Sequence, residues 1–491
     1  MTPSPLLSLI LIPLVTALFC MAGAAPRRIS IFGAGANLLL SLYLLASYNQ
    51  AIGGFQFVSE NPLFAAYGIS FSLGVDGLSL VLLLLCTLVT FAAVWVTPKI
   101  EKQEGMFYAC LLFISVGAVG AFASIDLFFF YAFHELALIP TFLLIGIWGS
   151  GERQRIAWKV TIYLAFGSFI LLLGLIGLWL AAPDNLRSLD IRMLQQLGYA
   201  GLLSPGPAVY LLLLFGFGIL IALFPFHTWA PEAYASAPAP AAMLHAGVLK
   251  KFGLYGLLRL AVPIFPAEIQ QFAHLLLVLL LGNILYVGFV TIAQKRLNLM
   301  LGYSSVMHMG YAFLGLAALN QLGLGGMALM MFAHGLTIAA LFALCGEIAR
   351  RTGTLEFSEL GGMAGITPKL GLLFGFAAMA SVGLPGFSSF AGEILIFFGA
   401  FARGATGCFN WFQTATALAL WGVVISAVYM LRAYRRVFWG GRGTAVKDEI
   451  ADISAGSRWA IILLLAALLV TGFRPGLLLE YLNPVFAYLP Q

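Results

Sequence analysis

Charge is what this sequence has least of. Its 491 residues include 25 Lys and Arg and 19 Asp and Glu, so charged residues make up 9% of the chain and hydrophobic residues 62%. A soluble domain carries about 25% charged residues, and too few polar side chains are present here to cover a water-exposed surface. The composition excludes a cytosolic enzyme, a nucleic-acid-binding protein and a disordered scaffold. It predicts a polytopic protein in a lipid bilayer.

Paired cysteines and cofactor motifs are also missing. Cys20, Cys86, Cys110, Cys345 and Cys408 form no CxxC motif and lie in or beside apolar segments, where cysteine is usually a small buried residue. The sequence has no phosphate-binding loop, no nucleophile motif and no dinucleotide fingerprint, and its His, Asp and Glu residues do not occur at metal-ligand spacing on one helix. We therefore expect neither a metal nor a redox cofactor on this chain.

Long apolar segments are abundant by contrast. About fourteen segments reach the length of roughly 20 residues that a helix needs to cross a bilayer. The first lacks a preceding basic stretch, which favours a helix over a signal peptide. If the N-terminus lies outside and the segments alternate, most basic residues fall inside, and only Arg187, Arg192, Arg403 and Arg474 fall outside. This positive-inside pattern predicts a bacterial inner-membrane protein with both termini on the outer side.

Two of the segments contain helix-breaking residues in mid-membrane. The seventh contains Pro225 and Pro231, and the twelfth contains Gly383, Pro385 and Gly386. Proline removes a helical hydrogen bond, and in lipid the freed backbone groups must be satisfied by neighbours or by water. Such breaks therefore occur where they line a cavity. Corresponding breaks in two halves of a chain indicate an ion or substrate pathway.

The spacing of the segments predicts an internal repeat. The fourth and ninth segments begin near residues 106 and 269, and the two breaks lie a similar distance apart. The alternative is a chance likeness of two proline kinks. We predict an all-α polytopic membrane protein with two inverted five-helix repeats and broken helices 7 and 12. The predicted domains are 1–105 (helices 1–3), 106–262 (helices 4–8), 263–432 (helices 9–13) and 433–491 (an inner loop and helix 14).

The few ionisable residues inside the segments are the candidate functional residues. A charged group at the bilayer centre costs about 2.5–3.5 kcal/mol on insertion scales, so several would not lie there without a function. Lys159 lies near a helix end, where a lysine can also reach the interface for structural reasons, and a lone buried histidine is more often a core residue. Glu, Lys and His in successive helices nevertheless favour a proton path. The candidates are Glu135, Lys159, His227, Lys250, Lys251, His308, His334 and Glu393.

Seven stretches of the sequence resemble a known family. They are similar to the antiporter-like membrane subunits of respiratory complex I, and the last stretch, which ends in Glu393, is typical of the M-type chain rather than the L- and N-type chains. In family order the stretches are GVDGLSLVLLLL, HELALIPTFLLIGIWG, PFHTWAPEAY, AGVLKKFGLYGLLR, YSSVMHMGY, AHGLTIAALFALCG and GLPGFSSFAGE.

The resemblance implies proton translocation driven by quinone reduction in other subunits. The chain would be a non-redox subunit of a translocase, with NADH, FMN, iron–sulfur clusters and quinone bound by its partners. Those partners would be the L- and N-type chains and small membrane chains, in the same bilayer. By position, the residues that match the family's proton path and first break are Glu135, His227, Trp229, Lys251, His334 and Glu393.

Three positions depart from the family pattern. Leu220 stands where the family usually has the seventh-helix lysine that partners the fifth-helix glutamate. Asn298 aligns with a basic residue, and Gly353 aligns with a histidine. We hypothesise that Lys250, an extra lysine beside Lys251, partly replaces the missing lysine, or else that this channel is altered or inactive.

Three other functions share some of these features. A subunit of a multi-chain Na⁺/H⁺ antiporter and a subunit of a membrane-bound hydrogenase would resemble this chain. A free-standing solute transporter is disfavoured because the sequence offers no polar pocket beyond the Glu, Lys and His row.

Overall fold

The structure, a computed structural model, describes residues 4–23, 25–64, 68–203, 205–403 and 410–489, so Cys408 lies outside the described residues. The chain is almost entirely helical, with one β-hairpin near its start. The helices of the first half are α1 (Pro5–Met21), α2 (Pro26–Ser47), α3 (Gly77–Val96), α4 (Glu104–Ala123), α5 (Leu127–Trp148), α6 (Arg153–Leu180), α7 (Ile191–Tyr199), α8 (Gly206–Ile221), α9 (Trp229–Ser236), α10 (Ala239–Leu244), α11 (Lys251–Gly256) and α12 (Val262–Ile264).

The second half continues in the same way. Its helices are α13 (Pro266–Gln271), α14 (Ala273–Leu281), α15 (Val287–Ala293), α16 (Leu297–Ala318), α17 (Gln321–Thr352), α18 (Pro368–Val382), α19 (Ser388–Ala402), α20 (Trp411–Phe438), α21 (Ala455–Phe473) and α22 (Gly476–Leu482). Three wide π-turns, His245–Leu249, Leu257–Ala261 and Gly282–Tyr286, join α10 to α11, α11 to α12 and α14 to α15.

In the described part of the chain, nine helices are long and apolar enough to cross a membrane, and α1, α8, α18 and α19 are shorter apolar helices. The count of fourteen crossings stays a prediction. The predicted domain boundaries at residues 105/106, 262/263 and 432/433 each fall within one helix, namely α4, α12 and α20. The division into repeats also stays a prediction.

The core of the molecule is built around α17. Its membrane-length segment is entirely buried, and α3 and α4 are nearly so, whereas α2, α5, α6 and α21 expose large apolar side chains along much of their length. Helix α17 packs against α16 and α19 on one side and against α3 and α10 on another. A helix that is apolar all round is expected in such a position. The buried residues His334 and Glu347 lie on this central helix, and the buried Lys251 contacts His334.

The sequence analysis missed an antiparallel hairpin. Strands β1 (Gln56–Phe64) and β2 (Ile69–Val75) pair with Ser59 opposite Leu73. The Asp126 carboxylate caps α5 and also accepts a hydrogen bond from the Ser70 N–H at 3.1 Å, which fixes the hairpin to the helical body. The hairpin escaped prediction because the run FQFVSENPLF also contains proline and polar residues that read as a loop.

The two ends of the helical body differ in their connections. At one end, hereafter the hairpin face, Arg192 of α7 forms an ion pair with Glu60 at 2.5 Å, and the rings of Tyr199 and Tyr488 lie 4.8 Å apart. At the other end, hereafter the arginine face, lie Arg296, Arg350 and Arg351, of which Arg350 is 2.5 Å from Glu347. The sequence predicts that the hairpin face is the outer one.

Candidate functional site

The first helix break lies between α8 and α9. Ala222 has a left-handed conformation, and its carbonyl accepts a hydrogen bond from Asn283 Nδ2 at 3.1 Å. The Phe224 N–H donates to Asn283 Oδ1 at 2.7 Å, and Trp229 Nε1 donates to the Ile219 carbonyl at 3.0 Å. Two side chains thus satisfy backbone groups that the break leaves free, as the apolar surroundings require. The sequence analysis missed Asn283 because one asparagine in an apolar run carries no motif.

Only one of the two prolines of this segment lies at the break. Pro225 follows the end of α8, as a helix-ending residue should. Pro231, however, lies inside the first turn of α9 rather than at the break. Proline is tolerated there because the N–H groups of the first turn have no helical acceptor. His227 lies between the two prolines, is buried, and has an unpartnered Nδ1 atom.

The second break lies between α18 and α19. Gly383 and Gly386 have φ angles of +78° and +103°, which favour glycine. A methyl group at residue 383 would collide with the Glu393 carboxylate, which therefore folds back onto the break. Pro385 has no N–H to donate to the Ser381 carbonyl one turn before it. The break thus brings a buried carboxylate and a carbonyl without a helical partner to the same place.

The two adjacent lysines lie at the start of α11, where a π-turn ends. Lys251 is buried, and its Nζ atom lies 2.7 Å from the Ala246 carbonyl and 2.9 Å from His334 Nδ1. Lys250 Nζ lies 3.2 Å from Ser305 Oγ and 5.3 Å from the centre of the Tyr234 ring. The two side chains therefore have different polar neighbours: Lys251 meets His334 of α17, and Lys250 meets Ser305 of α16.

A small polar cavity lies beyond His334. Its volume is about 10 Å³, close to the minimum that one water molecule needs. His334 Nε2 is buried and has no hydrogen-bond partner. Ser389 lines the cavity and lies one helical turn before the buried Glu393 on α19. The other lining residues are Ser304, His308, Met330, Thr337, Ile338, Leu341 and Ser381.

His308 lies on the same cavity with an unusual pair of partners. Its Nδ1 atom lies 2.8 Å from the Ser304 carbonyl, and its Nε2 atom lies 3.1 Å from the Ser381 carbonyl. Carbonyl oxygens only accept hydrogen bonds, and a neutral imidazole has one N–H. Both bonds therefore form only when the ring is protonated. The His308 ring lies 5.6 Å from the His334 ring, between centres.

Glu135 lies apart from this row, on α5. It is half-buried, its Oε1 atom has no hydrogen-bond partner, and the hydroxyls of Tyr131 and Ser168 face its carboxyl group. Leu220 is buried and packs beside Gly167, the neighbour of Ser168 on α6. Residue 220, where the resemblance predicts a lysine, therefore faces the helix that flanks Glu135. Among the described residues no ion pair joins Glu135 to a cation.

The remaining candidates have local partners. Lys159 Nζ forms an ion pair with Glu232 of α9 at 3.0 Å and lies 3.3 Å from the Thr228 carbonyl. Asn298 Nδ2 donates to the Ala235 carbonyl at 2.8 Å and so ties α16 to α9. Glu232 is a residue that the sequence analysis did not single out. These contacts link α6 and α16 to the segment that follows the first break.

Gly353 ends the central helix. Its φ angle of +73° is the left-handed conformation with which helices commonly end at glycine, and its N–H donates to the Ala349 carbonyl at 2.8 Å. A histidine at this position would have to adopt the same strained conformation. The glycine therefore explains how the helix ends, and it contacts none of the candidate residues.

A larger cavity opens on the arginine face. It has a volume of about 530 Å³, and we call it the vestibule. Lys99, Asn298, Glu347 and Arg350 contribute its polar groups, and Tyr234, whose hydroxyl is buried without a partner, lies in its wall. Lys250 Nζ lies 5.3 Å from the centre of the same Tyr234 ring. The vestibule therefore reaches from the arginine face to the neighbourhood of the two lysines.

No metal site accompanies these groups: across the described ranges no cluster of three or more His, Cys, Asp or Glu side chains is placed to hold an ion. Cys20, Cys86, Cys110 and Cys345 are buried and free. Two further buried groups, Asp76 and Arg259, form an ion pair that the sequence analysis missed. The sequence does not reveal the pair, because Asp76 and Arg259 are far apart along the chain.

Comparison with known proteins places this geometry in a family. Residues 124–420 match the family model described as NADH:quinone oxidoreductase/Mrp antiporter, TM. The chain is 36% identical over 475 residues to NAD(P)H-quinone oxidoreductase chain 4 1 of Synechococcus elongatus, covering 96% of this chain and 87% of that protein. It is 34% identical over 469 residues to NADH-quinone oxidoreductase subunit M of Rhodobacter capsulatus, covering 93% and 88%.

Solved structures give the same result for the fold. A chain of respiratory complex I from Thermus thermophilus superposes with a TM-score of 0.87 at 30% identity, covering 98% of this chain and 99% of that one. A chain of the Mrp complex from Dietzia superposes with a TM-score of 0.85 over 100% and 98%. Its identity of 21% supports a common fold alone.

Proposed function

Because the chain belongs to the family of NADH:quinone oxidoreductase and Mrp antiporter membrane subunits, we propose that it carries protons along a buried row formed by Lys250, Lys251, His334 and Glu393. The chain is an antiporter-like membrane subunit of the NADH-quinone oxidoreductase type and sits among other membrane subunits. Complex I is supported both by the sequence relatives and by the match in fold.

The contact between Lys251 Nζ and His334 Nδ1, at 2.9 Å, is the observation that supports this proposal best. An ammonium group that donates to an imidazole nitrogen can pass its proton to that nitrogen, since histidine changes charge near neutral pH. His334 Nε2 then faces the small cavity, where one water molecule could connect it with Ser389. Glu393, one turn farther along α19, is the acceptor in this scheme.

The vestibule supports proton uptake from the arginine face. It holds water-accessible space up to Tyr234, and Lys250 lies over the Tyr234 ring. A proton delivered there reaches Lys250 first, and Lys251 is its neighbour along the chain. On this proposal the arginine face is the cytoplasmic side, in accord with the positive-inside pattern.

The energy for transport comes, in this proposal, from partner subunits. Moving one charge against 100 mV requires about 2.3 kcal/mol, and the chain has no sequence motif for a nucleotide or redox group. We propose that NADH, FMN, iron–sulfur clusters and quinone bind to other subunits, and that L- and N-type chains adjoin this one. The chain itself is then a non-redox subunit of the translocase.

The substitution Lys251→Met tests the proposed path in the assembled complex. Protons translocated per electron are measured in sealed vesicles with NADH and quinone, and we expect the ratio to fall while assembly is retained. Lys369→Met removes an exposed lysine on the arginine face and serves as the control. An unchanged ratio for Lys251→Met would show that the row does not carry the transported protons.

A further inference from the structure

A second buried polar cluster lies between the lysines and the hairpin face. Asp76 caps α3 by accepting a hydrogen bond from the Ser79 N–H at 3.0 Å, and it also receives the guanidinium group of Arg259. Arg259 Nη1 lies 2.5 Å from Asp76 Oδ2, Nη2 contacts Asp76 Oδ1, and Nη2 donates to Ser79 Oγ at 2.9 Å. Arg259 and Asp76 are only 3% and 4% exposed, so the pair is shielded from water on all sides.

Two aromatic rings also lie against the guanidinium group. It lies 4.9 Å from the centre of the Tyr255 ring and 5.0 Å from the centre of the Phe55 ring. The Arg259 carbonyl accepts a hydrogen bond from Gln195 Nε2 of α7 at 2.9 Å. The positive charge is therefore fixed in one place by elements of the hairpin face.

This cluster shares a helix with the proposed proton path. Lys251 and Tyr255 belong to α11 and Arg259 to the π-turn that continues it, and their spacing of four residues places them along one side of this helical segment. Arg259 therefore lies roughly 12 Å closer to the hairpin face than Lys251 does, at 1.5 Å per residue. Any route from Lys251 to that face along this side of the helix must pass the guanidinium group.

The hydroxyl groups between the two basic residues are already occupied. Tyr255 Oη lies 3.0 Å from Ser79 Oγ and donates to the Phe122 carbonyl at 3.1 Å. Because Arg259 donates to Ser79, the Ser79 hydroxyl donates onward to Tyr255 and the chain of donors ends at a carbonyl. Its direction runs away from Asp76, which is opposite to the direction in which a proton leaving Lys251 toward the hairpin face would be passed.

We propose that Arg259, held in place by Asp76, is an electrostatic barrier that closes the proton path at Lys251 toward the hairpin face. A fixed arginine repels protons and other cations from a narrow passage. Asp76 acts as a positioning residue that holds the guanidinium group between Lys251 and the hairpin face. The proposal rests on the proposed function in one respect, since it takes Lys251 as a member of the path.

Passive proton leak in the assembled complex tests the barrier. The complex is reconstituted in liposomes without NADH or quinone, a potassium diffusion potential is imposed, and internal pH is followed with a trapped dye. We expect Arg259→Gln to raise the leak severalfold, Arg259→Lys to raise it much less because the charge remains, and the added substitution Lys251→Met to abolish the increase. Arg192→Gln, which removes another arginine bound to an aspartate cap at the same face, is the matched control and should leave the leak unchanged.

Loss of one partner of a buried ion pair leaves the other charge uncompensated and can prevent assembly. If Arg259→Gln does not assemble, Asp76→Asn combined with Arg259→Gln removes both charges, keeps a capping residue on α3, and should show the same leak. A leak equal to that of Arg192→Gln in the assembled variants, or a leak that persists with Lys251→Met, would overturn the proposal. If instead the proposed function is wrong, Lys251→Met alone will translocate as many protons per electron as the parent. The leak assay does not measure that quantity, so the two failures can be told apart.

Discussion

The Nζ atom of Lys251 lies 2.9 Å from Nδ1 of His334, and this contact joins the short helix α11 to the central helix α17. Both side chains are almost completely buried, so neither can exchange its partner for bulk water. Each group's ability to hold a proton thus depends on the other. This coupling separates the pair from Lys159 and Lys250, whose polar partners are a carboxylate and a hydroxyl.

His334→Leu should therefore lower the number of protons translocated per electron as much as Lys251→Met does. The combined variant should fall no further, because residues that share one hydrogen bond are coupled rather than additive. His274→Leu, at an exposed histidine, is the control and should keep the ratio of the parent. A ratio for the combined variant that is clearly below either single variant would mean that the two residues act on separate paths.

Gly383→Ala tests how closely Glu393 packs against the second break. The left-handed conformation alone costs an alanine about 1–2 kcal/mol, and at residue 383 the new methyl group also collides with the carboxylate. Gly353→Ala has the same conformational cost, but the new methyl group there meets no atom within 4 Å. It is therefore the matched control. We expect a larger loss of thermal stability of the assembled complex for residue 383, together with a lower proton ratio. Equal losses at both positions would show that the carboxylate is free to move aside.

Asn283→Leu tests the side chain that completes the first break. It would leave the Ala222 carbonyl and the Phe224 N–H without partners, at a cost of about 1–3 kcal/mol for each buried group. Asn37→Leu is the matched control, because Asn37 is buried in α2 and its Oδ1 atom has no partner. The temperature at which the assembled complex loses this chain should drop for Asn283→Leu and stay near the parent for Asn37→Leu. A larger drop in this temperature for Asn37→Leu than for Asn283→Leu would show that Asn283 does not stabilise the break.

Much of this arrangement could be predicted from the sequence, for reasons that particular residues show. The scarcity of charged residues predicted that the chain lies in a membrane. Pro225 and Gly383 marked helix ends because the backbone preferences of proline and glycine act locally. Glu393 and Lys251 stood out because an ionisable group in an apolar run is costly. These signals need no knowledge of which helices are neighbours.

The rest depends on contacts between distant parts of the chain. The sequence does not show that Asn283 lies against Ala222, that Asp76 binds Arg259, or that Lys250 points to Ser305, because these pairs are formed only when the helices pack. Pro231 was misplaced because a proline in the first turn of a helix and a proline at a break look alike in sequence. The vestibule is a property of packing and has no sequence motif.

Lys250 offers a test of whether a nearby lysine replaces the one missing at residue 220. Its polar contacts are Ser305 and the Tyr234 ring, and no hydrogen bond or ion pair among the described residues joins it to Glu135. If Lys250 nevertheless serves the same channel, Lys250→Met should lower the proton ratio in the assembled complex. An unchanged ratio would exclude the replacement. Lys369→Met is again the exposed control.

Leu220→Lys should place a cation beside Glu135. Position 220 packs next to Gly167, whose neighbour Ser168 faces the Glu135 carboxyl group, so a lysine there can reach the carboxylate. An unpaired lysine at this depth costs about 2.5–3.5 kcal/mol, and the carboxylate would offset much of that cost. We expect Leu220→Lys to assemble nearly as well as the parent and to assemble poorly when Glu135→Gln is added. The double-mutant comparison is measured as the amount of chain recovered in the purified complex. If the two variants assemble equally, a lysine at residue 220 does not pair with Glu135.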